Sequence, residues 1–219
     1  GGFKMKKKLS LFLLVLVLVT ASLTGCGKPQ ETGSGSSDDV IKIGVFEPMT
    51  GAQAAGGEMT VEGIKLANEA KGEVLGKKVE LVVVDNKSDK VEAANAVSRL
   101  IDKDKVVAII GSYSSSLSMS AGDIVKKAKV PAVGCSPTNP LVTLNNDYYF
   151  RVCFIDPFQG TVMANYAVND LGAKTAAIIQ DVNQDYSVGL SKYFIDSFKE
   201  LTGEDASIVD VSEFQLNEA

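Results

Sequence analysis

The chain has 219 residues with 22 Lys and Arg, 27 Asp and Glu, a net charge of −5 and no histidine. The lack of histidine excludes Ser-His-Asp and Cys-His catalysis and histidine-ligated zinc. The acidic balance argues against a nucleic-acid partner, because an acidic surface repels phosphate backbones.

The N-terminus has the layout of a secretory signal peptide. Three lysines, Lys6-Lys7-Lys8, precede an apolar run from Leu9 to Val19 that is shorter than the roughly 20 residues of a spanning helix. Next comes Leu23-Thr24-Gly25-Cys26, which resembles the bacterial lipobox, where the cysteine receives a diacylglyceryl group. Residues 1–25 are therefore predicted to be a lipoprotein signal peptide, with Cys26 as the lipidation site. An ordinary signal peptide followed by an incidental cysteine is the alternative.

Residues 26–39 are predicted to be a flexible tether. The segment that follows Cys26 is GKPQETGSGSSDD, which has no apolar residue able to join a core, and Gly/Ser-rich chains of this kind behave as flexible coil. The leader contains four lysines and no acidic residue, so from Cys26 onward 18 basic residues face 27 acidic ones, a net charge of −9. The folded part begins near Val40.

Strand and helix patterns alternate after Val40. Strands are predicted at Ile41–Phe46, Val79–Val84, Val106–Ile110 and Pro131–Val133. A helix is predicted over Glu58–Lys71, a second follows a capping box formed by Asp89 and Glu92, and a third carries Leu117, Ala121, Ile124 and Ala128. The second helix is expected to place Val91, Ala94, Val97 and Ile101 on one face. Such alternation predicts an α/β fold with a parallel, Rossmann-like sheet and right-handed crossovers.

A second series of elements follows. Helices are predicted over Asp156–Leu171 and Tyr186–Leu201, the latter with Leu190, Phe194, Phe198 and Leu201 aligned, and strands over Thr175–Gln180 and Ile208–Phe214. No helical pattern follows the last strand, so one apolar face is left without cover. The sequence is therefore expected to be a fragment of a longer protein.

Three loops fall at the carboxyl ends of strands, where open parallel sheets bind ligands. Thr50–Gly57 lacks the lysine of a phosphate loop and has Glu58 in its place, which argues against nucleotide binding. Gly111–Ser116 places serine hydroxyls and free N–H groups at a helix N-terminus, which suits a carboxylate, although simple N-capping is the plainer interpretation. Gly134–Pro140 offers backbone carbonyls and the Thr138 hydroxyl.

The cysteines other than Cys26 are Cys135 and Cys153. Two cysteines are weak support for a disulfide framework, although they can pair in an oxidising compartment. Free, partly buried thiols are expected. The residue types present suggest no metal site and no cofactor.

These stretches together resemble the Leu/Ile/Val-binding protein family, the type I periplasmic binding fold of ABC importers. The similar segments, in the family's order, are IKIGVFEPMTG, VEGIKLANEA, VELVVVDNKSD, VVAIIGSYSSS, VPAVGCSPTNP, FRVCFIDPFQG and IIQDVNQDYSVGL. The resemblance implies two lobes that close over a free amino acid. Residues 40–152 would form an incomplete first lobe and residues 153–219 the start of a second, with the first hinge crossing at Arg151–Gly160.

The resemblance also implies roles for individual residues. Ser115 would bind the ligand carboxylate, Ser136 would offer a carbonyl to the ligand ammonium, and Thr138 would contact both. Tyr186 would close over the ligand from the second lobe, with a loop-anchoring role as its alternative. Branched-chain binders have an aromatic residue where this chain has Gly56, so one pocket wall is expected to be missing, and the acid that binds the ammonium would lie beyond Ala219.

The sequence thus predicts an extracytoplasmic, membrane-anchored solute-binding lipoprotein without catalytic activity. Its expected partners are a small amino acid, an ABC permease and the lipid bilayer through Cys26, with no nucleic acid, and it is expected to be monomeric when complete. One alternative is a sensor or receptor lobe with the same fold. Another is an exported α/β esterase built around the serine cluster, although a G-x-S-x-G elbow is absent.

Overall fold

The computed structural model describes residues 40–215, so the predicted signal peptide, the tether and Cys26 lie outside the described residues. We call residues 40–152 the first lobe and residues 153–215 the second lobe, and the first contains a six-stranded sheet. Its spatial order is β2-β3-β1-β4-β5-β6, and all neighbouring strands are parallel except β2 and β3. The strands are β1 (Val40–Glu47), β2 (Glu73–Val74), β3 (Lys77–Asp85), β4 (Ala108–Ile110), β5 (Ala132–Gly134) and β6 (Tyr149–Arg151).

Three helices connect these strands: α1 (Ala54–Ala70), α2 (Lys90–Asp102) and α3 (Ser115–Ala128). Helix α1 begins four residues earlier than the sequence predicts, inside the glycine-containing loop. The Asp89 carboxylate caps α2 by accepting from the amides of Val91 and Glu92 at 2.8 and 2.9 Å. The Glu92 carboxylate pairs with Lys87 at 3.3 Å, so only half of the predicted capping box forms.

Helices α2 and α3 cover one face of the large sheet and form its core. The predicted face of α2 is right in part: Val97 is buried and Ile101 packs against the core, but Val91 is exposed. The most buried face is displaced by about one position and also contains Ala93, Ala96 and Leu100, because a face assigned one position away keeps the same helical spacing. Helix α3 follows its prediction more closely, with Leu117 and Ala121 buried, although Val125 replaces Ala128.

The second lobe, residues 153–215, is a smaller α/β layer. It contains α4 (Asp156–Asn165), a π-helical turn (Tyr166–Asp170), β7 (Ala176–Asp181), α5 (Asp185–Thr202) and β8 (Ile208–Phe214). Strands β7 and β8 pair in parallel, as expected for a βαβ unit. Of the four aligned residues predicted on α5, Phe198 is fully buried, stacked on Phe194 at 5.4 Å.

The sequence prediction of an α/β fold with a mostly parallel sheet is confirmed by this architecture. Strands β2 and β6 were not predicted, because two or three residues carry no readable periodicity. Within residues 40–215, no helix combines the length and apolar character needed to cross a membrane.

Candidate functional site

A cavity of about 360 Å³ lies between the two lobes at the carboxyl ends of β1, β4 and β5. Its volume is at the small end of the roughly 300–1,000 Å³ range of ligand pockets. All four predicted ligand-binding residues line it. The complete lining is Gln53, Tyr113, Ser114, Ser115, Ser136, Thr138, Phe154, Gln159, Gln184, Tyr186 and Ser187.

Ser115 is the first residue of α3, so its N–H belongs to the first turn, where helical amides lack intrahelical partners. Its hydroxyl oxygen accepts from the Asn139 amide at 3.2 Å, which leaves the hydroxyl proton free to donate. The capping interpretation fails for this loop, because the N-cap residue Ser114 makes no side-chain capping bond. A helix N-terminus with a free hydroxyl and free amides is suited to an anionic group.

A buried polar network holds this loop in place. Ser118 Oγ accepts from the Ser112 amide at 3.0 Å and donates to the Ser112 carbonyl at 3.1 Å. Glu47, at the end of β1, accepts from the Tyr113 amide at 2.6 Å through Oε2. Burial raises the pKa of Glu47 to about 8, although the bonds from Tyr113 and Ser112 oppose the rise. These groups position the serine loop and lie beneath the cavity lining.

Ser136 and Thr138 lie on the loop after β5, facing the serine loop. The Ser136 hydroxyl donates to the Tyr113 carbonyl at 2.9 Å, so the two loops are joined at the cavity wall. The Thr138 hydroxyl is buried and has no hydrogen-bond partner within residues 40–215. It lies near Asp156, whose carboxylate oxygens are also buried without a partner within residues 40–215, and desolvation raises the pKa of this carboxyl against the opposing charge of Arg151.

The opposite wall comes from the second lobe. Tyr186, near the start of α5, lines the cavity, and its hydroxyl accepts from Gln159 Nε2 at 3.3 Å. Gln184 accepts from Gln53 Nε2 at 2.9 Å, which connects the two lobes directly beside the cavity. Tyr186 therefore lines the cavity and is also anchored by its bond to Gln159, and its closure over a ligand stays a prediction.

Sequence reasoning missed several lining residues, and one of them changes the interpretation of Gly56. The missed residues are Gln53, Tyr113, Ser114, Phe154, Gln159, Gln184 and Ser187. The sequence predicts a missing wall at Gly56, and the structure places the Tyr113 ring against that position. The pattern of residues along the chain did not reveal this, since the two positions are 57 residues apart.

None of the residues that line the cavity is an acid, a lysine or a histidine, so the lining supplies no general base for the Ser115 hydroxyl. The nearby thiols of Cys135 and Cys153 are free and partly buried, and burial raises the pKa of Cys135 to about 11. The described part of the chain contains no cluster of His, Cys, Asp or Glu arranged to hold a metal ion.

A second, larger groove of about 560 Å³ lies between α1 and the other face of the large sheet. It is lined mainly by apolar side chains, including Ile43, Ile64, Val79, Leu81 and Ile110. It lacks the few convergent polar groups that orient a small ligand. The interlobe cavity is therefore the candidate site.

Two α/β lobes around an uncharged cavity, with a helix N-terminus directed at it, define a ligand-binding protein of the type I periplasmic binding fold. Residues 40–218 match the family described as "Periplasmic binding protein", and the chain belongs to that family. This confirms the resemblance recognised in the sequence.

Individual proteins of this kind are similar to the chain in sequence and in fold. The chain is 38% identical over 157 residues to an "Amino acid binding protein" of Pseudomonas aeruginosa, covering 70% of this chain and 41% of that protein. A leucine binding protein LivK of Thermotoga maritima superposes with a TM-score of 0.78 at 49% identity, covering 81% of this chain and 50% of that one. LivJ of Streptococcus pneumoniae, solved with isoleucine, gives 0.74 at 34% identity, covering 82% and 51%. The chain therefore spans about half the length of these relatives.

Proposed function

We propose that the chain is the N-terminal part of an extracytoplasmic solute-binding lipoprotein that captures a free amino acid for an ABC importer. The observation that carries the proposal is the N-terminus of α3. The Ser115 hydroxyl proton and first-turn amide are available there, at the wall of an uncharged cavity that Tyr186 bounds from the second lobe. The similarity to amino acid and leucine binding proteins supports the choice of ligand class.

The binding step follows from this arrangement. The ligand carboxylate accepts hydrogen bonds from Ser115, and the dipole of α3 favours its negative charge. The Ser136 carbonyl accepts from the ammonium, and Thr138 adds its hydroxyl. Tyr186 closes the cavity as the lobes approach, and the closed, loaded form is what a permease would receive. The protein performs no chemistry on its ligand.

Binding to the complete protein tests the proposal. Titration calorimetry with each of the twenty amino acids should show at least one tight ligand. Each hydrogen bond to a charged group contributes about 1.5–3 kcal/mol, so Ser115→Ala with Thr138→Val should weaken that ligand roughly a hundredfold or more. Ser120→Ala is the matched control, because Ser120 lies on the same helix and donates only to the Ser116 carbonyl. Equal affinity in the double mutant would contradict the assignment of these loops.

The two other functions are separated by independent measurements. A sensor lobe would bind the same ligands, but its gene would not neighbour permease and ATPase genes. An esterase would hydrolyse activated esters, with loss of that activity in Ser115→Ala.

A further inference from the structure

We propose that Tyr113, rather than a side chain at position 56, forms the aromatic wall against which the ligand side chain packs, and thereby sets the preference among amino-acid side chains. The inference rests on the proposed function and identifies the specificity-determining residue of the same site.

The first observation is the close approach of the Tyr113 ring to Gly56. A Cβ atom built on Gly56 would lie 2.6 Å from Cε2 and 2.7 Å from Cε1 of Tyr113, with Cζ also in contact. Separations under 3.0 Å essentially never occur for a real Cβ atom. The ring therefore occupies the space that a side chain at position 56 would enter. An aromatic side chain can therefore stand at position 56 or at position 113, but two rings cannot occupy this space together.

The second observation is that the backbone on both sides of this contact is held in place. The Tyr113 amide donates to Glu47 Oε2 at 2.6 Å, and its carbonyl accepts from the Ser136 hydroxyl at 2.9 Å. The Gly56 carbonyl accepts from the Thr60 hydroxyl at 2.9 Å within α1. A ring anchored at its backbone is a preorganised wall, so little freedom is lost when a ligand packs against it.

The third observation concerns the chemistry around the ring. The Tyr113 side chain is 40% exposed and lines the cavity, so part of it faces the space that a ligand would occupy. The lining residues beside it, such as Gln53 and Gln184, are uncharged. An uncharged ligand side chain can therefore pack on this part of the wall without leaving a buried, unpaired charge.

An exchange of the two positions tests the inference on the complete protein. Three variants are needed: Tyr113→Ala, Gly56→Tyr, and both together. The probes are leucine, valine, phenylalanine, glutamine, glutamate and lysine, measured by calorimetry. We expect Tyr113→Ala to lose at least tenfold in affinity for the best neutral ligand and to narrow the differences among neutral ligands. Gly56→Tyr alone should also lose affinity, because its ring meets that of Tyr113.

The double variant is the decisive measurement. It should bind more tightly than either single variant, because the new ring enters the space that Tyr113 has left. Tyr148→Ala is the matched control, since Tyr148 precedes β6 at the opposite end of the sheet. Tyr113→Leu, which keeps side-chain bulk without a ring, replaces Tyr113→Ala where that variant unfolds.

The possible outcomes distinguish a failure of the inference about Tyr113 from a failure of the proposed function. An unchanged ligand order in both Tyr113→Ala and Tyr113→Leu, or strictly additive losses in the double variant, would overturn the inference while amino-acid binding stood. Failure of the unmodified protein to bind any amino acid would overturn the proposed function and the inference together.

Discussion

The Lys90 ammonium and the Asp185 carboxylate lie 2.9 Å apart and join the first residue of α2 in the first lobe to the first residue of α5 in the second. Two further bonds meet at Asp185: its amide donates to Ser116 Oγ at 2.8 Å, and its carbonyl accepts from Asn139 Nδ2 at 2.9 Å. Partial burial alone would raise the pKa of Asp185, but Lys90 and Ser116 lower it. One residue of the second lobe thus gathers three contacts from the first.

Removal of the Lys90 ammonium should destabilise the closed form slightly. Both side chains are partly exposed, and such pairs contribute about 0.2–1 kcal/mol, so Lys90→Met should weaken ligand binding by up to about fivefold. The change should appear in the dissociation rate and should shrink in 1 M salt. Stopped-flow dissociation measures it, with Lys192→Met as control, because the Lys192–Asp196 pair lies within α5 alone. Equal effects of the two substitutions would contradict a role for Lys90 in closure.

The order of the major helices and strands could be predicted from the sequence, because apolar periodicity and the turn residues between elements are local features. Strand β8 was predicted at its observed limits, Ile208–Phe214, and α5 began and ended within one residue of its prediction. The observed helix α1 begins four residues before its predicted start, because the glycines and alanines of Ala54–Gly57 predicted a loop where the backbone is helical. Glycine is a weak helix former, and tertiary packing decided the outcome.

The sequence predicted four of the residues that line the cavity and missed the other seven. Ser115, Ser136, Thr138 and Tyr186 line one cavity as the motifs indicated, although their contact with a ligand remains a prediction. The wall at Gly56 could not be predicted, because it depends on the direction of one side chain, Tyr113, from a different loop. Glu47 was also missed, since a carboxyl at a strand end shows no sign of burial in the sequence.

Glu47 should make stability depend on pH. Its pKa is about 8 in the folded protein against an ordinary value of 4.5, so between these values the folded state holds a proton that the unfolded state has released. The free energy of unfolding should therefore fall as the pH rises from about 5 to 8, by up to about 1.4 kcal/mol per pH unit, and level off above 8. Below pH 4.5 both states are protonated and this group adds no slope.

The substitution Glu47→Gln isolates this contribution. It removes the titration and keeps a carbonyl oxygen for the Tyr113 amide, so the variant should gain stability relative to the unmodified protein as the pH rises from 5 to 8. Urea midpoints at pH 5, 6, 7 and 8, at constant ionic strength, give the comparison. Glu58→Gln, a change at an exposed carboxyl of α1, is the control. Parallel stability curves for Glu47→Gln and the unmodified protein would contradict the prediction.

Membrane attachment should depend on Cys26, which lies outside the described residues. One acyl chain gives only marginal membrane binding, whereas a diacylglyceryl group supplies two chains and anchors a protein stably. Cys26→Ala should therefore move the protein expressed in a bacterial host from the membrane fraction to the soluble one. Detergent-phase partitioning measures this, and Cys135→Ala serves as control. Equal partitioning of the Cys26→Ala and unmodified proteins would show that the lipobox interpretation is wrong.

The chain as given should associate with itself, because two apolar surfaces are open. On the large sheet, Phe150 in edge strand β6 and Val152 just after it are 51% and 76% exposed. On β8 in the second lobe, Val209 is 63% exposed. Open edges and contiguous apolar patches favour association.

Light scattering on the segment from Cys26 to Ala219, made without lipid, should therefore show oligomers or aggregates. We also expect this segment to bind amino acids no more tightly than about millimolar, a binding free energy near −4 kcal/mol. Phe150→Ser with Val152→Lys should reduce the association, because it places a polar group and a charge beside the open edge. Leu66→Lys, on the exposed side of α1 away from the groove, should change it little. A monodisperse monomer with micromolar affinity would mean that these surfaces are tolerated in water and that the first lobe folds and binds without further cover.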